Sequence, residues 1–175
     1  MKILYFGYGA YRNRSKVEQV IAHPRPEEIG GIAEGYRLAY QDLSQIPQKA
    51  SDILRNVWGD NFKAYTLKRE NGIVSGVVYT ITEEDLVKIK EWEFDGLWRD
   101  IIEIEIKTSD GFVVKAFTDM AKPDQQVAGY ADGLLYNEFA FIIKQEKENI
   151  RDQEYYTQQQ LEKIRANLAA IKSNG

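Results

Sequence analysis

The 175-residue chain contains no cysteine, and this absence excludes several chemistries at once. Without thiols there is no disulfide, no thiolate metal site and no cysteine nucleophile. No apolar run approaches the ~20 residues that a membrane helix requires, and residues 1–8 are too short and interrupted to form a signal peptide. We therefore expect a soluble, cytoplasmic protein with no membrane partner.

Histidine is also scarce, since His23 is the single copy in the chain. Any serine–histidine–aspartate triad would have to use it. Histidine is the commonest general base, but His23 precedes Pro24, and a residue before proline is biased away from helix. This setting favours a surface loop over a catalytic position.

Positive charge is in deficit, because 23 Lys and Arg residues face 27 Asp and Glu residues and give a net charge of −4. A duplex-binding protein usually presents a basic face, so we expect no nucleic-acid partner. The composition, with 43% hydrophobic and 29% charged residues, is that of an ordinary globular protein. The length suits one domain with a core of its own.

Apolar patterning predicts strands in the first two thirds of the chain and helices between and after them. Strands are expected over residues 3–8, 31–40, 62–68, 73–81, 100–107 and 111–120. Asn71-Gly72 predicts a hairpin between the third and fourth of these, and Ser109-Asp110-Gly111 predicts one between the last two. Mostly local connections indicate an α+β domain with a closed or nearly closed sheet.

Three helical segments are predicted besides an uncertain stretch over residues 51–58, which could be a helix or an irregular loop. The first spans residues 15–21, with Ser15 as N-cap. A second follows Thr82, where Asp85 completes an approximate capping box. The last starts near Asp152, and its apolar stripe consists of Leu161, Ile164, Leu168 and Ile171. We assign residues 1–150 to the domain and 151–175 to a C-terminal helix docked on it, with a dimer contact as the alternative.

Glu93 is the strongest candidate for acid–base chemistry. It lies seven residues after Leu86, nearly two helical turns, and so shares the buried face with Leu86 and Ile89. Burial and a helix C-terminus both disfavour a negative charge, and both would raise the pKa of a carboxyl there. A carboxyl with a raised pKa suits general acid–base catalysis at neutral pH. The alternative is that the helix ends early and leaves Glu93 in solvent.

The turn after the first strand, Gly7-Tyr8-Gly9-Ala10-Tyr11, is a candidate binding loop. Glycines after a strand let backbone N–H groups converge on an anion or oxyanion. Arg12 stands where a dinucleotide fingerprint needs its third glycine, and no phosphate-loop lysine follows. A plain tight turn is the alternative interpretation.

Glu103 and Glu105 lie on one face of a predicted strand and could in principle hold a metal or act as paired carboxylates. They alternate with isoleucines as in a half-exposed strand, and calcium-loop spacing is missing. We therefore expect a solvated face, no metal site and no cofactor.

Several short motifs occur in an order that is similar to a known family. They are Tyr5-Phe6-Gly7-Tyr8-Gly9-Ala10, Gly76-Val77-Val78-Tyr79, Ile89-Lys90-Glu91-Trp92-Glu93-Phe94, Trp98-Arg99, and Tyr136 with Tyr155 or Tyr156. In this order the chain resembles the γ-glutamylcyclotransferase-like family, which includes γ-glutamylamine cyclotransferases and plant avirulence-induced proteins. The resemblance covers nearly the whole chain.

The resemblance implies a small mixed β-barrel with flanking helices and the conversion of a γ-glutamyl group to 5-oxoproline. It implies Glu93 as the acid–base residue. The substrate-binding residues would be Gly7, Tyr8, Gly9, Ala10, Tyr11, Trp98 and Tyr136. The partner would be a small γ-glutamyl compound, and the protein would be a monomer or a weak homodimer.

Three positions depart from the family pattern. Ala10 replaces the usual Ser or Thr, Phe94 replaces the glycine after the glutamate, and Lys144-Gln145 replaces Gly-Ala. A non-catalytic small-ligand or interaction module on the same fold is therefore the alternative function. An adaptor that works through its acidic surface and C-terminal helix is a third.

Overall fold

The computed structural model describes residues 2–24 and 26–131, together with the separate helical positions 162 and 166. The strands are β1 (Lys2–Gly7), β2 (Glu28–Asp42), β3 (Lys63–Thr82), β4 (Arg99–Thr108), β5 (Val113–Ala121) and β6 (Gly129–Tyr130). The helices are α1 (Arg14–Ile21), α2 (Gln48–Trp58) and α3 (Glu83–Trp92), and a 3-10 turn spans Gly9–Arg12. None of the helices in these described ranges has the length and apolar character needed to cross a membrane.

Five strands close into a barrel in the order β3-β1-β5-β4-β2, because β2 also pairs with β3. β1 and β5 run parallel, and the other neighbours are antiparallel. β6 extends the sheet by pairing with β2. This architecture confirms the predicted α+β class and the mixed β-barrel with flanking helices.

The apolar side chains form an interior core and two outer ones. Strand residues such as Phe6, Val78 and Ile106 fill the barrel. On the outside, Tyr5 and Tyr79 pack against α1 and α3. The third cluster joins α2 to the segment after α3, where Phe94 and Trp98 are buried. Alternation along β1 therefore directs Phe6 inward and Tyr5 towards the helices.

The predicted hairpin at Asn71-Gly72 is wrong, because β3 runs without a turn from Lys63 to Thr82. Both halves of β3 pair with β2, and the register shifts where Gly35 faces residues 70–72. An added Cβ at Gly72 would lie 2.8 Å from the carbonyl oxygen of Tyr36. Gly72 thus allows the backbones of β2 and β3 to approach closely at a β-bulge, instead of forming a turn.

Most other local predictions agree with the structure. The hairpin between β4 and β5 turns at residues 109–112, and Gly111 has a φ of +90°. Residues 51–58 belong to the helix α2. The N-cap of α1 is Asn13 instead of Ser15, because the Asn13 side chain accepts a hydrogen bond from the Ser15 N–H. The predicted C-terminal helix lies outside the described residues, apart from positions 162 and 166.

Candidate functional site

Helix α3 is fixed at its start by a complete capping box. The Thr82 side chain accepts from the Asp85 N–H, and the Asp85 side chain accepts from the Thr82 N–H. Leu86 and Ile89 are buried against the outside of the barrel. The buried face inferred from the sequence is therefore confirmed, and it leads directly to Glu93.

The end of α3 holds Glu93 in a defined position. The Asp95 N–H donates to the Lys90 carbonyl (2.9 Å) and the Phe94 N–H donates to the Glu91 carbonyl (3.3 Å), which is the Schellman pattern. Phe94 takes the left-handed position, with a φ of +54°, where glycine is usual. Its ring is 1% exposed in the third core cluster, so packing offsets the backbone cost.

Glu93 is 8% exposed although it caps the helix end. The Tyr11 hydroxyl, from the 3-10 turn, donates to Glu93 Oε1 at 2.5 Å. Arg99 Nη1, at the start of β4, lies 3.4 Å from Glu93 Oε2. The inward orientation predicted from the spacing is thus confirmed, and the carboxyl has one hydroxyl and one guanidinium as neighbours.

Arg99 is the central cation of the site and is 4% exposed. Its Nη1 forms an ion pair with Asp119 of β5, and its Nη2 donates to the Tyr65 carbonyl. The guanidinium carbon lies 4.3 Å from the centre of the Trp98 ring. Stacking and hydrogen bonds on several sides fix the guanidinium plane.

Asp119 accepts hydrogen bonds from two tyrosines in addition to Arg99. The Tyr5 hydroxyl donates to Oδ1, and the Tyr8 hydroxyl donates to Oδ2 at 2.9 Å. The Tyr8 O–H is shared with the Asp119 backbone carbonyl, whose oxygen lies 2.7 Å from the Tyr8 oxygen. The result is a buried chain of polar groups from Tyr5 to Glu93, assembled from β1, the 3-10 turn, α3, β4 and β5.

The buried polar groups differ in pKa. Burial raises the pKa of Glu93 to about 7, and the negative charge of Asp119 adds to this, whereas Arg99 and the Tyr11 hydrogen bond lower it. Burial, followed by the neighbouring carboxylates, raises the pKa of Tyr5, Tyr8 and Tyr11 well above 10. The tyrosines therefore stay protonated donors, and Glu93 can exchange a proton near neutral pH.

The predicted binding loop meets Glu93 through a side chain. Gly7 ends β1, and an added Cβ there would lie 2.6 Å from the Tyr11 carbonyl oxygen, so glycine lets the turn fold back. Tyr79 donates to that same carbonyl at 2.7 Å. The Tyr11 N–H is engaged with the Tyr8 carbonyl (3.2 Å) and does not point to a ligand. The predicted cavity lined by Glu93 and the backbone N–H groups of residues 8–11 is therefore not supported at residue 11, and for residues 8–10 it remains a prediction.

Trp98 stacks against the Arg99 guanidinium, and its indole N–H is directed to Gln41 instead of Glu93. Its indole is 3% exposed and donates to Gln41 Oε1 at 2.9 Å. This places Trp98 as a support for the guanidinium, and its contact with a substrate remains a prediction. Tyr136 lies outside the described residues.

The sequence patterns alone indicate no role for Arg99 or Asp119. Arg99 belongs to the Trp98-Arg99 motif, and Asp119 is a charged residue between Thr118 and Met120, near the end of a mainly apolar strand. That anomaly was the available signal, because buried charges need partners.

The remaining candidates lie elsewhere. His23 is exposed, and its Nε2 lies 2.8 Å from Asp85 Oδ1, beside the α3 cap. Glu103 and Glu105 are exposed on the outer face of β4, as expected. Within the described ranges, no group of three or more His, Asp or Glu residues is placed to hold a metal.

No protein-family model and no curated protein sequence matches the chain. Solved structures do match. A γ-glutamyl cyclotransferase is similar with a TM-score of 0.57 and 18% identity, over 95% of this chain and 88% of that one. An uncharacterised human protein gives 0.54 and 18% over 83% and 85% of the two chains. An uncharacterised protein of Pyrococcus horikoshii gives 0.51 and 15% over 81% and 96%. The chain therefore has the γ-glutamyl cyclotransferase fold.

Proposed function

We propose that the protein is an enzyme that cyclises a γ-glutamyl group to 5-oxoproline and releases a free amine or amino acid. One observation carries the proposal. Glu93 is a buried carboxyl with a pKa of about 7, held beside Tyr11 and Arg99 on this fold. A single group that gains and loses a proton near neutral pH is what this reaction requires of the protein.

The reaction balances with Glu93 as the one proton carrier. The α-amine nitrogen of the γ-glutamyl group bonds to its own γ-carbonyl carbon, and the amide C–N bond to the leaving amine breaks. Glu93 takes the proton that the attacking amine loses and gives it to the leaving nitrogen. Attacker and carbonyl belong to one molecule, so the protein supplies orientation instead of a nucleophile.

The neighbours of Glu93 support this cycle. Arg99 and the Tyr11 hydroxyl stabilise the ionised carboxylate and hold it in one orientation. We assign substrate contact to the loop of Gly7, Tyr8, Gly9, Ala10 and Tyr11, and to Trp98 and Tyr136. Because Ala10 has no hydroxyl, polar contact by residue 10 would come from its backbone.

The test is release of 5-oxoproline by the purified full-length protein. The panel contains γ-glutamyl amino acids, γ-glutamyl amines and a γ-glutamyl-lysine isopeptide. We expect at least one of them to yield 5-oxoproline and free amine in equal amounts. No product from any class would contradict the proposal and favour a non-catalytic binding module, which direct binding of the same compounds would then detect.

A further inference from the structure

Two carboxylates share one guanidinium nitrogen in the buried site. Arg99 Nη1 contacts both Asp119 Oδ2 and Glu93 Oε2. Because a polar contact spans about 3 Å, two carboxylates on one nitrogen lie within about 6 Å of each other. At that separation each affects the protonation of the other.

The two carboxylates are not equivalent. The Asp119 side chain is 2% exposed and accepts from Tyr5, Tyr8 and Arg99, so donors on both oxygens stabilise its negative charge. Glu93 accepts one hydroxyl, from Tyr11, and its contact with Arg99 is the longer one at 3.4 Å. The charge of Arg99 is therefore committed mainly to Asp119.

We propose that Asp119 is a positioning residue that engages Arg99 and thereby keeps the proton of Glu93 exchangeable at neutral pH. The catalytic consequence rests on the proposed function, in which Glu93 is the acid–base group. Without the Asp119 charge, Arg99 would be free to bind Glu93 as a simple ion pair. Glu93 would then be mostly ionised at neutral pH and a poorer proton donor to the leaving amine.

The described titratable groups that interact electrostatically with Glu93 come from several elements. They are Tyr5 from β1, Tyr8 and Tyr11 beside or in the 3-10 turn, Arg99 from β4 and Asp119 from β5. The tyrosines are neutral donors, so Arg99 and Asp119 supply the charges that decide the balance. Removing the Asp119 charge leaves the Arg99 charge in place, so this change isolates the effect of Asp119 on Glu93.

Asp119→Asn is the direct test, because it removes the charge and keeps the size. For a charge about 6 Å away in an effective dielectric near 20, the midpoint of Glu93 should fall by about one to two pH units. The measurement is the carbon-13 titration of the Glu93 carboxyl in labelled full-length protein, assigned through its loss in Glu93→Gln. An unchanged midpoint in folded Asp119→Asn would overturn the proposal.

Tyr5→Phe keeps the test decisive if Asp119→Asn does not fold. This variant removes a neutral donor from Asp119 and leaves the charge, so the Glu93 midpoint must stay or rise. A fall would contradict the proposal. The titration needs no turnover, so it stands or fails separately from 5-oxoproline release. If the enzyme is active, the low-pH limb of kcat/KM should move down with the midpoint in Asp119→Asn, and a limb that stays in place would count against Asp119.

Discussion

Glu93 combines two unfavourable settings for a negative charge. It is buried, and it caps the C-terminus of α3, where the helix dipole is negative. Arg99 and the Tyr11 hydroxyl offset part of that cost. The balance leaves a carboxyl that is protonated well above the ordinary pH range of a glutamate, and this has a consequence for stability.

Stability should fall with pH because of Glu93. Its pKa is raised from the ordinary 4.5 to about 7 on folding, so between these values the unfolded chain loses a proton that the native protein keeps. The free energy of unfolding should decrease by roughly 3 kcal/mol over this window from this group. Urea unfolding at pH 5 and pH 8 measures the effect.

Glu93→Gln should lack this component, so its stability relative to the wild type should improve between pH 5 and pH 8. Glu91→Gln is the control, because it leaves Glu93 in place and should follow the wild type. A pH dependence in Glu93→Gln equal to that of the wild type would show that Glu93 titrates normally.

Helical periodicity allowed one residue of the site to be predicted from the sequence. Spacing from Leu86 and Ile89 was enough to predict that Glu93 faces inward. Arg99 and Asp119 meet it because β4 and β5 are neighbours in the barrel, and no local period carries that contact. The paired tyrosine donors depend on the same tertiary arrangement.

Among the elements, α3 positions the site, and its end depends on an unusual residue. Phe94 stands at the left-handed position of the Schellman motif, where a side chain costs about 1–2 kcal/mol. The burial of its ring against α2 and Trp98 offsets this backbone cost.

At position 94, glycine should be more stable than alanine, which is the reverse of the usual order within a helix. Phe94→Ala loses the ring and keeps the backbone cost, whereas Phe94→Gly loses the ring and removes that cost. Both should destabilise by a few kcal/mol, with the alanine variant about 1 kcal/mol less stable than the glycine variant. Chemical unfolding at one pH gives both values.

Leu86 provides the matched pair inside α3. There glycine should be about 1 kcal/mol worse than alanine, because the backbone is helical. If alanine were also the more stable residue at position 94, the left-handed conformation of Phe94 would be excluded.

Local signals predicted the capping box of α3 and the hairpin between β4 and β5, since each depends on residues within a few positions. They failed at Asn71-Gly72, where a strong turn signal lies in a bulge of a 20-residue strand. The choice between turn and bulge is made by β2, which pairs with both halves of β3. Pairing with β2, which is distant in sequence, therefore determines the conformation at Asn71-Gly72.

For the whole molecule, closure of the barrel brings the site together. The parallel pairing of β1 with β5 sets Tyr5 beside Phe117, close to Asp119 and to the turn that carries Tyr11. The α+β class and a closed sheet could be predicted from strand number and local connections. The parallel pair could not, because it joins segments more than a hundred residues apart.

The C-terminal segment should contribute to stability. Leu161, Ile164 and Leu168 form a predicted apolar stripe, whereas Glu162 and Ala166, the two described positions between them, are exposed. Truncation after Asn149 should lower the melting temperature by several degrees, given roughly 1.5–3 kcal/mol for each buried aliphatic side chain.

Replacing Leu161 and Leu168 with serine in the full chain should have a similar effect, and Glu162→Gln should have none. An unchanged melting temperature in the truncated protein would indicate that this segment does not dock on the domain.

The proposed role of Glu93 as the proton carrier of a cyclisation can be tested by comparing two neighbouring glutamates. In the 5-oxoproline assay, with the best substrate of the panel, Glu93→Gln should lower kcat/KM by roughly 10²–10⁴-fold, the usual contribution of general acid–base catalysis. Glu91→Gln, two residues away and half-buried, should stay near the wild-type value. Wild-type turnover in folded Glu93→Gln, or a loss confined to Glu91→Gln, would contradict the account.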